Sequence, residues 1–215
     1  MCIRDSLYDA SMSNPWPEEW LDGCVENYCL DPEKGIVETK WYQSLWEIVD
    51  SALKEAEELN RSAMEICGES EGPELYLDAL QKDLVLIRQL QELSDKQDYD
   101  QMVQTLQNLS FARLSTKKME GVSGQLKSLV KDIREDAKDI LKDLGSRYFQ
   151  CSLEELTELT LASAGPLKML VKLTKDFAQR FSDKKREKNV LDFSDMEHFA
   201  LEILSLIHIS EPTRP

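Results

Sequence analysis

Apolar side chains recur at every third or fourth position along most of this 215-residue chain, a spacing typical of α-helices that bury one face. The chain contains only 8 Gly and 7 Pro, and it is rich in Leu, Glu, Lys and Gln, which favour helices. No segment reads convincingly as a strand. The sequence therefore predicts an all-α fold, an irregular multi-helix subdomain with long helices and no sheet.

Breakers and capping residues divide this pattern into separate helices. Ser152 and Glu155 match the capping box of a helix start. Gly145 is expected to cap the helix before them, and Gly165-Pro166 is expected to interrupt the helix after them. The segment 110–118 has no helical period and predicts an extended connection. The first predicted helix starts within residues 14–20 and continues to about residue 28. The others cover about residues 39–67, 74–93, 99–109, 122–144, 152–164, 167–188 and 194–204.

The last predicted helix begins at a second capping box, formed by Ser194 and Glu197. An apolar stripe follows at helical spacing, which predicts an ordinary buried helix. The stripe consists of Met196, Phe199, Ala200, Ile203 and Leu204.

The formal net charge of −15 argues against a dedicated nucleic-acid-binding module, which is normally basic on at least one face. It does not exclude a domain that lies beside DNA in a larger machine. No apolar run approaches the length of a membrane span. Cys24, Cys29, Cys67 and Cys151 match no C-x-x-C pattern, so we expect free buried thiols in a reducing cytosol.

Both ends of the chain look like translations of a sequencing adapter. Met1–Ser6 can be encoded by ATG TGT ATA AGA GAC AG plus one base, and Leu204–Ile209 by CTG TCT CTT ATA CAC AT plus one base. These two strings are reverse complements. We therefore expect residues 1–6 and 205–215 to be adapter-derived and exclude them from functional reasoning. The other interpretation is a pair of short tails related by coincidence. The adapter interpretation predicts a natural fragment of about residues 7–204 that lacks both natural termini.

The sequence offers no catalytic machinery. It contains no G-x-x-x-x-G-K-[ST] phosphate loop, no G-x-G-x-x-G motif and no nucleophile elbow. His198 is the one histidine outside the adapter-like tail, so His-based metal sites and Ser-His or Cys-His pairs have almost no ligands to draw on. We predict no catalytic residue, no metal site and no cofactor within this chain, and no enzymatic activity of the chain alone.

The densest basic cluster lies near residue 185, where Asp183 and Glu187 partly offset it. Two interpretations stay open. The cluster could contact DNA phosphates, which would give a salt-dependent affinity. Alternatively, it is a solvated helix end, where cations are favoured near the C-terminus. The candidate DNA contacts are Arg180, Lys184, Lys185, Arg186 and Lys188.

The residues that follow this cluster carry a family resemblance. Phe177-x-x-x-Phe181-x-x-x-Lys185 is followed by Asn189-Val190-Leu191-Asp192-Phe193-Ser194-Asp195-Met196-Glu197-His198. This resembles the end of the helical 1B insertion of UvrD/RecB-like superfamily 1 helicases, where [FY]-x-x-x-K precedes L-D-F-x-D-L. The Glu-His pair resembles one branch most, the helicase/nuclease subunits of AddA type from bacterial AddAB complexes. Met196 stands where Leu is usual, a volume-conserving change.

Two upstream segments are similar to the same branch. Pro15–Leu21 is similar to the P-x-P-E-x-W-L pattern at the start of the insertion. Phe111–Leu114, followed by Ile133–Lys138, resembles its F-x-R-L and R-x-x-x-K patterns. The resemblance thus covers nearly all of residues 13–204.

By this resemblance, the parent protein is an ATP-dependent DNA helicase with a nuclease domain, cytoplasmic and bacterial. It would unwind and resect double-stranded DNA ends in recombinational repair, using ATP and Mg²⁺ and an AddB-type partner subunit. Residues 7–190 would form the 1B-like accessory subdomain that guides DNA, and residues 191–204 would lead back to motor subdomains outside this chain. The alternative is a stand-alone acidic helical scaffold or protein-interaction module.

The resemblance assigns the terminal motif no chemistry. Asp192 is expected to orient the backbone or a neighbouring cation, and Phe193 to pack a helix start against the motor core. His198 is expected to be a surface or interface residue rather than a ligand. The motif residues, all expected to be structural, are Leu191, Asp192, Phe193, Asp195, Glu197 and His198.

Overall fold

The computed structural model describes residues 3–30, 35–117 and 121–210. Within these residues it contains eight α-helices, two short 3-10 turns and no strand, which confirms the predicted all-α class. Lys118 of the predicted extended connection, and adapter-like residues 1–2 and 211–215, lie outside the described residues. The helices are α1 (Ile3–Met12), α2 (Pro17–Tyr28), α3 (Lys40–Cys67), α4 (Leu77–Asp95), α5 (Tyr99–Gln107), α6 (Gly124–Tyr148), α7 (Leu153–Lys188) and α8 (Phe193–Ser210). The 3-10 turns are Ile36–Glu38 and Glu74–Tyr76.

The chain forms two compact units. One comprises Ile36–Glu158, and the other combines Met1–Gly35 with Leu159–Pro215. We call them the central unit and the terminal unit.

The central unit is built around α3, which packs against α4 and α6. Its buried side chains follow one another at three- and four-residue steps, so a single face of the helix enters the core. At one end of the unit the rings of Tyr42, Trp46, Tyr99 and Phe149 lie 5.0–6.2 Å apart, centroid to centroid. Tyr99 Oη also donates a hydrogen bond to the Tyr148 carbonyl (2.9 Å). This aromatic cluster fixes the start of α5 against the end of α6.

A buried ion pair crosses the central unit between α4 and α6. Arg134 donates to both carboxylate oxygens of Asp83 (2.6 and 3.2 Å), and both side chains are about 5% exposed. A third bond runs from the Arg134 guanidinium to the Ala112 carbonyl (2.6 Å). Lys138 lies over the Phe111 ring, 5.4 Å from its centroid. The F-x-R-L and R-x-x-x-K segments therefore contact each other, and α6 holds the non-helical connection in place.

Helix α6 does not end where the sequence predicted. Gly145 lies inside the helix rather than at its cap, and the Phe149 N–H still donates to the Gly145 carbonyl (3.3 Å). A Cβ at position 145 would lie 3.4 Å from Leu106 Cβ. Gly145 therefore faces α5 from within the helix, and a sequence pattern cannot distinguish such a glycine from a helix end.

Helix α7 begins as predicted but is not interrupted. The Ser152 hydroxyl accepts the Glu155 N–H (3.2 Å), as the first capping box requires. The predicted break at Gly165-Pro166 is wrong, because Pro166 lies inside one continuous helix. Pro166 has no N–H to donate to the carbonyl four residues earlier, which belongs to Ala162. Ala162 is exposed, so water can replace this one hydrogen bond and the helix continues.

We expect the Asp83→Asn variant to lose about 3–5 kcal/mol of the free energy of unfolding, because the Arg134 guanidinium would stay buried without its counter-charge. Urea denaturation followed by circular dichroism measures this loss. The matched control is Asp78→Asn on the same helix. Asp78 pairs with Lys82 at the surface, so we expect its change to stay near 0.5 kcal/mol. Equal losses in the two variants would contradict the structural role of the buried pair.

Candidate functional site

The family motif lies at the junction of α7 and α8, which we call the corner (residues 185–198). Helix α7 ends there in a Schellman motif: the Val190 N–H donates to the Lys185 carbonyl (3.0 Å) and the Asn189 N–H to the Arg186 carbonyl (3.1 Å). Asn189 adopts φ +50°, in the left-handed region. Asparagine tolerates this region better than most residues, which explains a sharp turn without glycine.

The N-cap of α8 lies two residues earlier than predicted, at Asp192 rather than Ser194. The Asp192 carboxylate accepts the Asp195 N–H (2.9 Å), and the Asp195 carboxylate accepts the Asp192 N–H (3.0 Å). This reciprocal arrangement is a capping box made of two aspartates. The predicted box at Ser194 and Glu197 is therefore wrong, because Ser194 already lies within the first turn of the helix.

The ammonium group of Lys185 joins the two helices. It contacts Asp192 Oδ2 (2.9 Å) and Asp195 Oδ1 (2.6 Å), and it lies 4.7 Å from the Phe181 ring centroid. Lys185 is only 8% exposed. Burial lowers its pKa, but the hydrogen bonds to Asp195 and Asp192 outweigh that effect and leave the pKa raised. The Asp195 backbone N–H and the Lys185 ammonium together lower the pKa of Asp192. Lys185 and Asp192 are thus held in their charged forms.

Helix α1 covers the aromatic side chains that precede Lys185. The Tyr8 ring meets Phe177 and Phe181 edge-on, with centroids 5.1 and 6.0 Å away, and the two Phe rings stack at 5.7 Å. Burial raises the pKa of the Tyr8 hydroxyl. The F-x-x-x-F-x-x-x-K spacing therefore describes one face of α7 that packs on α1.

His198 connects the start of α8 to the turn before α2. Its Nδ1 lies 2.7 Å from the Ser194 carbonyl oxygen and its Nε2 lies 2.9 Å from the Asn14 carbonyl oxygen. The ring is thus a contact between two segments of the terminal unit. Glu197, next to it, is exposed.

The apolar side chains of the corner point outward. Phe193 is 83% exposed and Leu191 62%. The predicted buried stripe of α8 is exposed as well, and none of the side chains described in 193–205 is buried. That expectation was wrong because no other described segment of the chain covers this face. At the corner the inward-facing charged groups are therefore paired with one another, whereas the apolar side chains are exposed.

The five candidate DNA contacts do not form one surface. Arg180, Lys184 and Lys188 lie on successive turns of one α7 face and are exposed, although Lys184 pairs with Glu187 (2.8 Å). Arg186 is exposed on another side of the helix. Lys185 points inward to the two aspartates, so its charge is not available to a phosphate group.

Sequence reasoning missed three residues that build the corner: Tyr8, Asn14 and Asn189. Tyr8 and Asn14 act from about 170 and 180 residues away in the chain, and no local pattern indicates them. The D-x-x-D spacing of Asp192 and Asp195 was a usable signal, because aspartate caps helices as well as serine does. The serine two residues later obscured it.

Within the described residues no group of three or more His, Cys, Asp and Glu side chains could hold a metal ion. In the same part of the chain, no helix is both long and apolar enough to cross a membrane. The arrangement at the corner can orient two helices and present charge and apolar surface.

Comparison with known proteins identifies the relatives of this chain. No family model matches it. It is 37% identical over 200 residues to the A-type subunit of the ATP-dependent helicase/nuclease from Lachnoclostridium phytofermentans, a match that covers 92% of this chain and 14% of that protein. The proteins of the same name from Clostridium beijerinckii and Listeria monocytogenes are each 32% identical, over 93% and 94% of this chain and 16% of their own lengths. The predicted resemblance is confirmed, and the chain spans about one-sixth to one-seventh of the curated relatives it matches.

We expect Lys185→Met to loosen the corner, because the two capping aspartates would then face each other without a cation. Removing one partner of a largely buried charged hydrogen bond costs about 1–3 kcal/mol, so amide hydrogen exchange at Asp195 and Met196 should accelerate at least roughly tenfold. Lys184→Met, an exposed neighbour with the same chemistry, is the control and should leave these amides unchanged. If the two variants exchange alike, Lys185 does not hold the corner.

The corner should also respond to acid. The pKa of Asp192 lies below its ordinary value of 3.8, so its stabilising contribution is fully present above that pH and is lost as the pH falls through the folded-state value. We expect the difference in unfolding free energy between the natural sequence and Asp192→Asn to shrink as the pH falls below about 3.8. Urea titrations between pH 6 and pH 2.5 measure it. A difference that stays constant over this range would show that the carboxylate makes no charge-dependent contribution.

Proposed function

We propose that this chain is a helical accessory subdomain, of 1B type, from an ATP-dependent DNA helicase/nuclease of bacteria. Its support is the identity of 31–37% with the A-type subunits of such enzymes across about 93% of this chain. In this proposal residues 7–190 form the accessory subdomain and residues 191–204 lead back to the motor. Residues 1–6 and 205–215 are adapter-derived.

The proposed parent resects double-stranded DNA ends for recombinational repair in the bacterial cytoplasm. In this proposal the ATP-binding site lies in a part of the parent outside this chain, since the sequence contains no phosphate-binding loop. The proposal places the nuclease site outside this chain as well. A partner subunit completes the complex, in keeping with the names of the relatives, which mark each of them as one lettered subunit of its enzyme.

The DNA-contacting surface that we propose is the exposed α7 line of Arg180, Lys184 and Lys188, with Arg186 beside it. One helical turn separates each residue of the line from the next, about 6 Å along the axis, which is close to the spacing of phosphates along a strand. The chain is otherwise acidic, with a net charge of −15, so its field would steer DNA towards this line and away from the rest. Lys185 is left out because its charge is paired inside the corner.

The proposed neighbours of the corner are the missing motor subdomains of the same polypeptide. Leu191 and Phe193 lie at the point where the chain leaves the accessory subdomain, and the α8 stripe continues the same exposed apolar surface. Monomeric proteins seldom expose large apolar patches. Contact with the motor would cover this surface.

A chimera tests the proposal. We would replace the matching segment of the Lachnoclostridium phytofermentans protein by residues 7–204 and assay it with its partner subunit. ATP-dependent unwinding of duplex DNA should persist. The triple variant Arg180→Glu, Lys184→Glu, Lys188→Glu should weaken duplex binding and reduce the slope of log affinity against log salt by about 3, the value for three lost phosphate contacts. The control carries Lys54→Glu, Lys82→Glu and Arg147→Glu, which reverse three exposed charges elsewhere.

Three results would contradict the proposal. If the chimera folds but does not unwind DNA with ATP, the segment does not serve as an accessory subdomain of this enzyme. If the two triple variants have equal salt slopes, the line of Arg180, Lys184 and Lys188 does not contact DNA. The genomic locus is the third check, since it should encode a phosphate-binding loop upstream of Leu7 and an acidic D-E-x-Q-D-like motif downstream of Leu204. A start codon just before Leu7 or a stop codon just after Leu204 would instead support a stand-alone acidic scaffold.

A further inference from the structure

Lys185 lies between two surfaces for which different contacts are proposed above. Of the five candidate cations near it, Lys185 alone is buried. On one side is the α7 line proposed to contact DNA, which we call the DNA line and which consists of Arg180, Lys184 and Lys188. On the other side α8 begins at Phe193, which is 83% exposed and is assigned to the contact with the motor. The ammonium group is therefore close to both surfaces without forming part of either.

The hydrogen bonds of Lys185 join these two surfaces directly. Each capping aspartate uses one carboxylate oxygen for the cap of α8 and the other for the ammonium group. Charge-assisted hydrogen bonds are short and strong, and here the two are 2.9 Å to Asp192 and 2.6 Å to Asp195. Phe193 directly follows Asp192, so its position relative to the last turn of α7 depends on this cation.

The other connection to the proposed motor is fixed at the same end of α7. Tyr8 of α1 packs edge-on against Phe181, and the Lys185 ammonium lies 4.7 Å from the centroid of that ring. The Asn14 carbonyl oxygen lies 2.9 Å from Nε2 of His198 in α8. The segment that precedes the accessory subdomain and the segment that follows it are thus both held beside the DNA line.

We propose that Lys185 is a positioning residue for DNA unwinding. By fixing the start of α8 to the end of α7, it holds the DNA line at a set orientation to the motor, so that movement of the motor displaces DNA instead of bending the corner. This inference rests on the proposed function, because the DNA line and the motor contact both belong to it. It assigns Lys185 no contact with a phosphate group, since its charge is paired inside the corner.

The chimera with the Lachnoclostridium phytofermentans protein, assayed with its partner subunit, tests this role. The quantities to measure are the base pairs unwound per ATP hydrolysed and the affinity for duplex DNA at several salt concentrations. Lys185→Met should lower the base pairs unwound per ATP at least roughly threefold, an effect in the range of residues that couple two sites. The salt slope of duplex binding should stay unchanged, because no phosphate contact is lost. The matched control is Lys54→Met, which removes an exposed lysine of the central unit.

Three further variants separate positioning from a general loss of structure. Lys185→Arg keeps a cation with several N–H donors for the two carboxylates, so it should restore most of the base pairs unwound per ATP. Lys185→Met combined with Phe193→Ala should lose no more than the larger single effect, because both changes act on the same contact, whereas independent effects multiply. If Lys185→Met does not fold, Asp195→Asn replaces it, since that change removes one of the two carboxylates that the ammonium joins. It should also lower the base pairs per ATP and leave the salt slope unchanged.

The outcomes distinguish this proposal from the proposed function. An unmodified chimera that folds but does not unwind DNA overturns both. An active chimera in which Lys185→Met behaves like Lys54→Met overturns the positioning role alone, as does a Lys185→Arg variant no better than Lys185→Met. A salt slope that falls by about 1 in Lys185→Met would instead make Lys185 a phosphate contact. Losses that multiply in the combination with Phe193→Ala would show that Lys185 does not act through the motor contact.

Discussion

The ammonium group of Lys185 holds the terminal unit together where α7 meets α8. Lys185 lies between Asp192 and Asp195, which also cap α8. Without the cation, two carboxylates three residues apart would repel each other at a helix start. The Phe181 ring beside the ammonium also packs against Tyr8 of α1. The end of α7, the start of α8 and the position of α1 therefore depend on the same charge.

The central unit also contains a buried cation that joins separate segments of the chain. Arg134 is buried and shares its guanidinium between the Asp83 carboxylate and the Ala112 carbonyl. The chain has a large excess of acidic side chains, and a buried cation in it is satisfied only where oxygen partners are already in place. Such a cation therefore favours one packing geometry over others. It adds less stability than its Coulomb energy suggests, because burying the charges costs free energy. Both cations lie in segments that carry the family resemblance. The resemblance thus follows structural contacts.

The distribution of apolar surface explains why such a chain suits a larger assembly. The central unit buries its own core, whereas α8 leaves large side chains about half exposed or more. An independent domain gains nothing from such surfaces, and they promote association. The chain spans only 14–16% of the curated relatives. The proposed function accounts for the α8 surface by contact within the parent.

The sequence by itself determined the helical class, most helix boundaries and the identity of the motif, because periodicity and capping chemistry are local. It predicted the start of α7 within a residue or two, and it marked Asp192 as a residue that orients the backbone or a cation. It failed where a distant contact decides the outcome. Gly145 reads as a helix end, yet it lies inside α6 and faces Leu106 of α5. Lys185 reads as one of five exposed cations, yet the two aspartates bury it. Only the tertiary structure could decide these points, since burial and charge pairing depend on which segments meet in space.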